Sequence, residues 1–336
     1  GMDWTRIDLG GELFEGPTNS YLIQGDSTVL IDTGVASEDS IAALEVGLAE
    51  NHTSVNEIDA ILLTHWHPDH AGYAGVLQRR AGASVYAHPR DARRVTATEG
   101  PLAAGRSDRR QALRKWGVPA EVRMGLESFF EDFSFTFGPP PEIESVTHGT
   151  VLSLGTLDFE VVHIPGHTAG HVGYFFEENG TNAFVGDTLL GEYKPNIGGA
   201  DVRVEKPLDN YLQSLETIAH SGVQQALVGH REILEDPIQR IESIQTHHRN
   251  RSERVVSMIE NDGPLDCWSV AKRLFGDLRG IHALHGTGEA FAHLQHLETG
   301  GILRSDITAE RTYRYHHESK SPTVDSIFEQ RNTETM

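Results

Sequence analysis

The sequence predicts an α/β protein in which mixed sheets are covered by helices. Over the first two thirds of the chain, short apolar segments of strand length alternate with amphipathic segments of helix length. Two further pairs of apolar segments flank turn residues, at Gly155 and at Asn179 and Gly180, as in antiparallel hairpins. Hairpins and strand-helix units in one chain indicate mixed sheets rather than a purely parallel, doubly wound sheet.

The elements follow from apolar periodicity and from capping residues. A helix is expected over residues 38–50, with Ser37 as its N-cap and Ile41, Leu44 and Leu48 on one face. A second helix should begin near Asp69 and continue through residues 71–82. The predicted strands are residues 27–32, 58–64, 83–89, 151–154, 157–163, 172–177, 181–186 and 224–229.

Composition limits the class of protein. A chain of 336 residues suits one large domain and one small domain. No apolar run approaches 18 residues and no leader is visible, so we expect no membrane association and a cytoplasmic location. Cys267 is the single cysteine, which excludes an intrachain disulfide and a thiolate-rich metal site. A metal ion would therefore depend on histidine and carboxylate ligands.

The charge of the chain is strongly negative but unevenly distributed. The net charge of −21 argues by itself against nucleic-acid binding. Residues 79–123 nevertheless contain 11 Lys and Arg against 4 Asp and Glu. This basic stretch is either a solvated helical face or a surface that steers an anionic substrate. The residues proposed to contact such a substrate are Arg90, Arg93, Arg94, Arg106, Arg109, Arg110, Arg114 and Lys115.

Polar side chains follow the carboxyl ends of five predicted strands. Asp32, the segment HWHPDH at 65–70, His167, Asp187 and His230 each stand where a strand gives way to a loop. Rigid strands can hold such loop residues so that they converge on one site. Four metal-capable side chains lie within six residues, and so tight a segment could hardly wrap a single tetrahedral ion. The spacing therefore indicates two ions in a shared site.

The ligand motifs, taken together, resemble the metallo-β-lactamase superfamily of hydrolases over residues 5 to about 235. The motifs are TNSYLI, IDTG, THWHPDH, PGHTAGH, GDTLL and LVGHRE, in that order. The resemblance implies a four-layer αββα sandwich with the site at one edge, between the two sheets. It implies that one metal is bound by His65, His67 and His167, that a second is bound by Asp69, His70 and His230, and that Asp187 bridges them. Asp32 would hold the ligand loop by hydrogen bonding.

The expected chemistry is hydrolysis assisted by two divalent cations. Two such ions lower the pKa of a shared water, so that hydroxide is available near neutral pH. Asp69 would orient this nucleophile as well as bind metal. His171, four residues after His167, is either a proton donor or oxyanion contact, or a structural histidine. Zinc is the expected metal, and iron or manganese would also suit these ligands.

The last third of the chain predicts a separate small domain. Residues 236–317 should form three helices and a hairpin, an order that resembles a winged-helix domain and a C-terminal extension of the β-lactamase-like endoribonuclease branch. From Glu235 onward there are 12 Lys and Arg against 16 Asp and Glu, which argues against specific DNA binding. Packing, homodimer formation or substrate gating remain as roles. His293 and His296 are interpreted as helix-face residues, and 318–336 as a mobile tail.

The predicted organisation is a catalytic domain at 2–235, with a basic helical insertion at 88–145 near the mouth of the site. The leading function is hydrolysis of an anionic ester, thioester or phosphodiester, with small thioesters and RNA as the two main substrate classes. The alternatives are an endoribonuclease-like nuclease, a sulfur dioxygenase with one iron, and a non-catalytic sensor. Intact His70 and His230 argue against the one-iron enzyme.

Overall fold

Two mixed sheets form the centre of the molecule. The computed structural model describes residues 3–11, 15–133 and 136–330. The first sheet has six strands in the order β1 to β6, and the second has five in the order β11, β10, β9, β8, β7. The strands are β1 Trp4–Asp8, β2 Asn19–Gln24, β3 Thr28–Ile31, β4 Ala60–Leu62, β5 Ser84–Ala87, β6 Glu144–Ser145, β7 Val151–Leu154, β8 Leu157–His163, β9 Val172–Glu177, β10 Thr181–Gly186 and β11 Gln225–Val228.

Twelve α-helices lie in the described part of the chain. They are α1 Glu38–Glu50, α2 Pro68–Ala71, α3 Ala74–Ala81, α4 Pro89–Val95, α5 Pro101–Ala104, α6 Arg106–Lys115, α7 Ala120–Asp132, α8 Pro207–His220, α9 Pro237–Asp262, α10 Cys267–Phe275, α11 Ile281–Thr299 and α12 Val324–Glu329. None of these helices is long and apolar enough to cross a membrane.

Strand alternation divides the apolar side chains between three layers of core. In β2, Tyr21 and Ile23 point into the space between the sheets, whereas Leu22 points to the opposite face. The core between the sheets joins these residues to Phe159 of β8 and Phe184 of β10. The outer face of the first sheet packs against α1 and α3, and that of the second against α8. The predicted αββα sandwich is confirmed.

The helix expected from about Asp69 to residue 82 is divided into α2 and α3. Its interruption has a local cause at Gly72 and Tyr73. The N–H of Tyr73 bonds to the carbonyl oxygen of Gly34 at 3.1 Å and to the Thr33 hydroxyl at 3.2 Å. Because this donor bonds to the loop after β3, it is not used for a continuous helix. The two predicted hairpins, by contrast, form β7 with β8 and β9 with β10.

The C-terminal segment contains the predicted three helices and hairpin. Helices α9, α10 and α11 precede the antiparallel pair β12 Leu303–Ile307 and β13 Tyr313–His317. The prediction of a tail from residue 318 was wrong for α12, because Val324 and Ile327 are buried against the helices. Residues 331–336 of that tail lie outside the described residues. The winged-helix resemblance stays a prediction.

The basic insertion packs against the C-terminal helices. One apolar cluster joins the insertion to helices α9 to α11. The insertion contributes Leu113 of α6, Trp116 at the C-cap of α6 and Leu126 of α7. The ring of Trp116 stacks on Phe291 with 5.4 Å between centroids. The insertion is therefore held between the sandwich and the C-terminal segment, and the three parts form a continuous body.

Helix α11 lies directly on a loop that approaches the edge of the sandwich. Glycine makes this contact possible, since a Cβ on Gly288 would collide with the backbone of Gly198 and Gly199. Gly198 also has a φ of +85°, which disfavours other residues. The loop at 196–200 and the first half of α11 are thus fixed to each other by close backbone packing.

We predict that Gly288→Ala lowers the free energy of unfolding by about 1–3 kcal/mol, because the new methyl group forces α11 away from the loop. Gly125→Ala is the control, since a Cβ there meets no atom within 4 Å. At this exposed position of α7, the substitution should stabilise the protein by about 0.5–1 kcal/mol. Urea unfolding followed by circular dichroism measures both. Equal effects of the two substitutions would contradict this account of the contact.

Candidate metal centre

Seven side chains capable of binding metal meet at one edge of the two sheets. They lie after strands β4, β8, β10 and β11, as expected from the strand ends. The structure brings them into two adjacent groups in which the ligand atoms lie within 4.8 Å of one another. The first group is His65, His67 and His167, and the second is Asp69, His70, Asp187 and His230.

In the first group, each imidazole uses one nitrogen for a hydrogen bond and leaves the other for a ligand. Nδ1 of His167 donates to the carbonyl oxygen of Asn196 at 2.7 Å, and Nε2 of His67 donates to that of Ala200 at 2.9 Å. Nδ1 of His65 bonds to the Thr64 hydroxyl at 2.9 Å. Nε2 of His65 and of His167 is buried without a hydrogen-bond partner among the described residues. Such nitrogens fit a bound cation.

The second group combines two imidazoles with two carboxylates. Nδ1 of His70 bonds to Oδ2 of Asp32 at 2.8 Å, and Nδ1 of His230 bonds to the carbonyl oxygen of Gly16 at 3.1 Å. The two Nε2 atoms therefore face Oδ2 of Asp187, each at 3.2 Å. That oxygen also lies 3.6 Å from Nε2 of His65. Asp187 is thus placed between the groups, where a bridging ligand would be.

The two groups differ in the charge that their surroundings favour. Burial, followed by the neighbouring imidazole of His167, lowers the pKa of His67 to about 4. Burial acts in the same direction on His230, but Asp187 and Asp69 outweigh it and raise the pKa of His230 to about 10. The carboxylate-containing group therefore attracts positive charge, and divalent cations would supply it.

Asp32 holds the ligand loop in place. It is buried and has a φ of +59°, a left-handed conformation that Asp and Asn tolerate better than most residues. Its Oδ1 accepts a bond from the N–H of Thr64 at 2.8 Å, and its Oδ2 accepts from the Thr64 hydroxyl at 2.7 Å and from His70. One carboxylate thus orients His70 directly and His65 through Thr64.

His171 is placed as a structural residue. It is fully buried and stacks on His65 with 4.6 Å between ring centroids. Its Nε2 accepts a bond from the N–H of Asp187 at 3.1 Å, so its Nδ1 carries the proton and faces the Thr188 hydroxyl at 3.2 Å. With both nitrogens occupied inside the protein, His171 cannot donate a proton to a substrate. Of the two roles expected from sequence, the structural one fits this geometry.

A buried network that the sequence did not reveal joins the ligand loops. Asp91, at the start of α4, accepts bonds from the N–H of Trp66 at 3.0 Å and of Gly170 at 2.7 Å. Asp201 accepts from the N–H of Ala169 at 3.0 Å, and Arg203 bridges Asp91 and Asp201 at 3.2 and 2.8 Å. No motif marks Asp91, which stands among arginines in a stretch that is basic overall.

A cavity of about 370 Å³ opens onto the metal-binding side chains. His67, Asp69, His167 and Asp187 lie in its wall. Glu15 and His285 also line it, and neither was predicted from sequence. Burial, then the charge of Asp187, raises the pKa of Glu15 to about 7. Burial, then His67, lowers that of His285 to about 3. His285 is delivered by α11, far along the chain from every ligand motif.

The basic residues of the insertion are divided by the structure. Arg94 and Arg109 line this cavity, whereas the others predicted as substrate contacts are not among its lining residues: Arg90, Arg93, Arg106, Arg110, Arg114 and Lys115. Arg106, Arg110 and Arg114 line a neighbouring cavity of about 830 Å³. Arg110 forms an ion pair with Glu127. Long-range steering by the whole set stays a prediction.

The fold and these paired ligand groups define a class of metal-dependent hydrolases. The family model of the metallo-beta-lactamase superfamily matches residues 13–230, and the chain belongs to that superfamily.

Relatives and a solved structure agree with this assignment. The chain is 26% identical to the probable metallo-hydrolase YqjP of Bacillus subtilis over 85% of its own length and 89% of that protein. It is 24% identical to the atrochrysone carboxyl ACP thioesterase of Aspergillus fumigatus, over 78% of this chain and 64% of that protein. A metallo-beta-lactamase family protein from Thermus thermophilus superposes with a TM-score of 0.78 at 29% identity, covering 94% of this chain and 99% of that one.

We predict that Asp32→Asn weakens metal binding by about 10- to 100-fold, because the charged acceptor that orients His70 is lost. Asparagine keeps the left-handed backbone, so the effect reports the charge and not strain. Asp59→Asn is the matched control, since Asp59 is exposed and caps only the N–H of Thr28. Competition with a chromophoric chelator measures the affinity. An Asp32→Asn protein with wild-type affinity would refute the proposed role of Asp32.

Proposed function

We propose that the protein binds two divalent metal ions and hydrolyses a small anionic ester or thioester. The observation that carries this proposal is the pair of ligand groups that share Asp187, with Oδ2 at 3.2 Å from His70 and His230 and 3.6 Å from His65. Imidazole and carboxylate ligands favour zinc, and iron or manganese would also be accepted.

The metals and the protein would supply different parts of the chemistry. When bound, the two cations would activate a water molecule near neutral pH and polarise the carbonyl or phosphoryl oxygen of the substrate. Hydrogen bonds from the other ring nitrogen hold each imidazole in place, so the side chains need little rearrangement when the metal ions bind. Asp69 is buried and lines the cavity, where its carboxylate would accept a hydrogen bond from the attacking water or hydroxide and orient it.

The shape of the cavity supports a small substrate. Its volume of about 370 Å³ lies at the lower end of the range for small-molecule sites, and Phe129, Phe130 and Phe133 form part of its wall. One relative is named as a thioesterase, which is consistent with an acyl substrate. An RNA strand would need a groove that follows its backbone. The phosphodiester alternative is therefore the second candidate. The one-iron dioxygenase is the third, because His70 and His230 of the second ligand group are both present.

The proposal is tested by assaying bis-p-nitrophenyl phosphate and a panel of acyl thioesters in parallel, using protein loaded with zinc. We expect thioester turnover, and we expect His65→Ala to reduce kcat/KM by at least about 1000-fold, because one cation loses a ligand. His220→Ala is the matched control, since this histidine has a side chain that is 61% exposed at the end of α8. It should retain wild-type activity.

The outcomes separate the candidate functions. Turnover of the phosphodiester alone, lost in His65→Ala, would replace the thioesterase proposal with a nuclease and lead to oligonucleotide substrates. Failure of both substrates with two equivalents of zinc bound would refute the hydrolysis of these classes. The sulfur dioxygenase or sensor would then be the next hypothesis.

A further inference from the structure

Two arginines lie side by side in the wall of the metal-site cavity. Arg94 belongs to α4 and Arg109 to α6, and both line the cavity of about 370 Å³. Both guanidinium groups lie close to the same glycine. A Cβ on Gly105 would lie 2.6 Å from Nη1 of Arg109 and 3.5 Å from Cζ of Arg94. Absence of a side chain at Gly105 thus allows both guanidinium groups to occupy this part of the wall.

The positive charge of this pair is only partly balanced. Arg94 has a side chain that is 10% exposed and bonds to Asp108 at 2.7 Å, whereas the Asp108 side chain is 50% exposed. Arg109 forms no ion pair with a carboxylate among the described residues, and its guanidinium lies 4.1 Å above the ring of Phe130. Burial, then the charges of Arg94 and Arg106, lowers the pKa of Arg109 to about 10. Arg109 therefore remains charged at neutral pH, and this part of the wall attracts an anion.

Apolar side chains lie in the same cavity as the arginine pair and the metal-binding residues. Trp66, Leu102, Phe129 and Phe133 contribute to the wall. The rings of Phe129 and Phe133 stack at 4.4 Å. A substrate that occupies the cavity therefore meets three kinds of surface: metal ligands, aromatic rings and paired guanidinium groups. Planar guanidinium groups bind carboxylate or phosphate oxygens through two parallel hydrogen bonds.

We propose that Arg94 and Arg109 form an oxyanion subsite that selects esters or thioesters carrying a carboxylate or phosphate remote from the reacting bond. This inference rests on the proposed hydrolytic function and adds the substrate class. The reacting bond lies at the metal ligands, an apolar segment contacts the aromatic rings, and the terminal oxyanion bonds to the two arginines.

The position of Arg109 also indicates where the substrate can extend. Leu102, Arg109 and Phe130 line both the cavity of about 370 Å³ and the neighbouring cavity of about 830 Å³. The oxyanion subsite thus stands at the junction between them. A phosphate that is attached to a larger group can be bound here while that group occupies the second cavity.

The test compares two esters with the same reacting bond and chain length. Mono-p-nitrophenyl adipate ends in a carboxylate, and p-nitrophenyl hexanoate ends in a methyl group. For the wild-type protein loaded with zinc, we expect a KM for the adipate ester that is lower by about 10- to 100-fold, the range for hydrogen bonds to charged groups. A preference for a terminal phosphate is measured in the same way, by comparing the KM values of the 6-phosphohexanoyl and hexanoyl p-nitrophenyl esters.

Variants connect the preference to the arginine pair. The preference is expressed as the KM of the hexanoate ester divided by the KM of the adipate ester. Arg109→Met should reduce this ratio by about 10-fold or more. Arg109→Lys keeps the charge but not the planar fork, and should keep part of the preference. Arg94→Met is a second variant, and thermal unfolding checks that each protein is folded. Arg80→Met is the control, because Arg80 of α3 is exposed, pairs with Glu45 of α1 at 2.8 Å and is not among the residues that line either cavity. It should keep the wild-type ratio.

A binding measurement separates this inference from the hydrolytic function. Isothermal titration with adipate and hexanoate, which share one carboxylate and differ in the second, measures the subsite without turnover. If neither ester is hydrolysed but adipate binds more tightly in an Arg109-dependent way, the function fails and the subsite stands. If both esters are hydrolysed with equal KM, or if Arg109→Met keeps the wild-type ratios, the function stands and the subsite is refuted.

Discussion

The constraint on which the structure depends is the convergence of seven side chains capable of binding metal, six buried and one half-buried, at the edge of two sheets. Each imidazole has a second nitrogen that needs a hydrogen-bond partner, since an unpaired buried polar group is costly. The partners are Asp32, Thr64, Gly16, Asn196 and Ala200. They come from loops far apart in sequence. The imidazoles can therefore be oriented correctly only when all of these loops are correctly folded.

This requirement extends the site beyond the part of the chain that matches the family model, which ends at residue 230. The carbonyl oxygens that hold His67 and His167 belong to the loop at 196–200. That loop is in turn held by α11, through the bond from the side chain of Asn196 to the carbonyl oxygen of His285 and through close backbone packing at Gly288. The C-terminal helices thus contribute to ligand geometry as well as to the wall of the cavity.

The sequence predicts the sandwich and the convergence of the candidate ligands, because both depend on local patterns. The crowded segment 65–70 and the polar residue after each apolar strand mark the site without any knowledge of tertiary structure. The buried role of His171 and the network around Asp91 depend on contacts between distant loops, so no local pattern indicates them. Helix α12 was missed for the same reason. Its sequence is mostly polar, and only the tertiary contacts show that Val324 and Ile327 are buried.

The candidate metal ligands and the other residues of the cavity wall come from different parts of the chain, which has a consequence for specificity. The ligands follow the strands of the sandwich, whereas the arginines and phenylalanines of the wall come from the insertion and His285 comes from α11. The insertion packs on the C-terminal helices through Leu113, Trp116 and Leu126, so its cavity-facing residues are held on a rigid support. Substitutions at the cavity-facing arginines and phenylalanines of the insertion can therefore change which substrate is bound, whereas Asp91 of the same insertion holds the ligand loops.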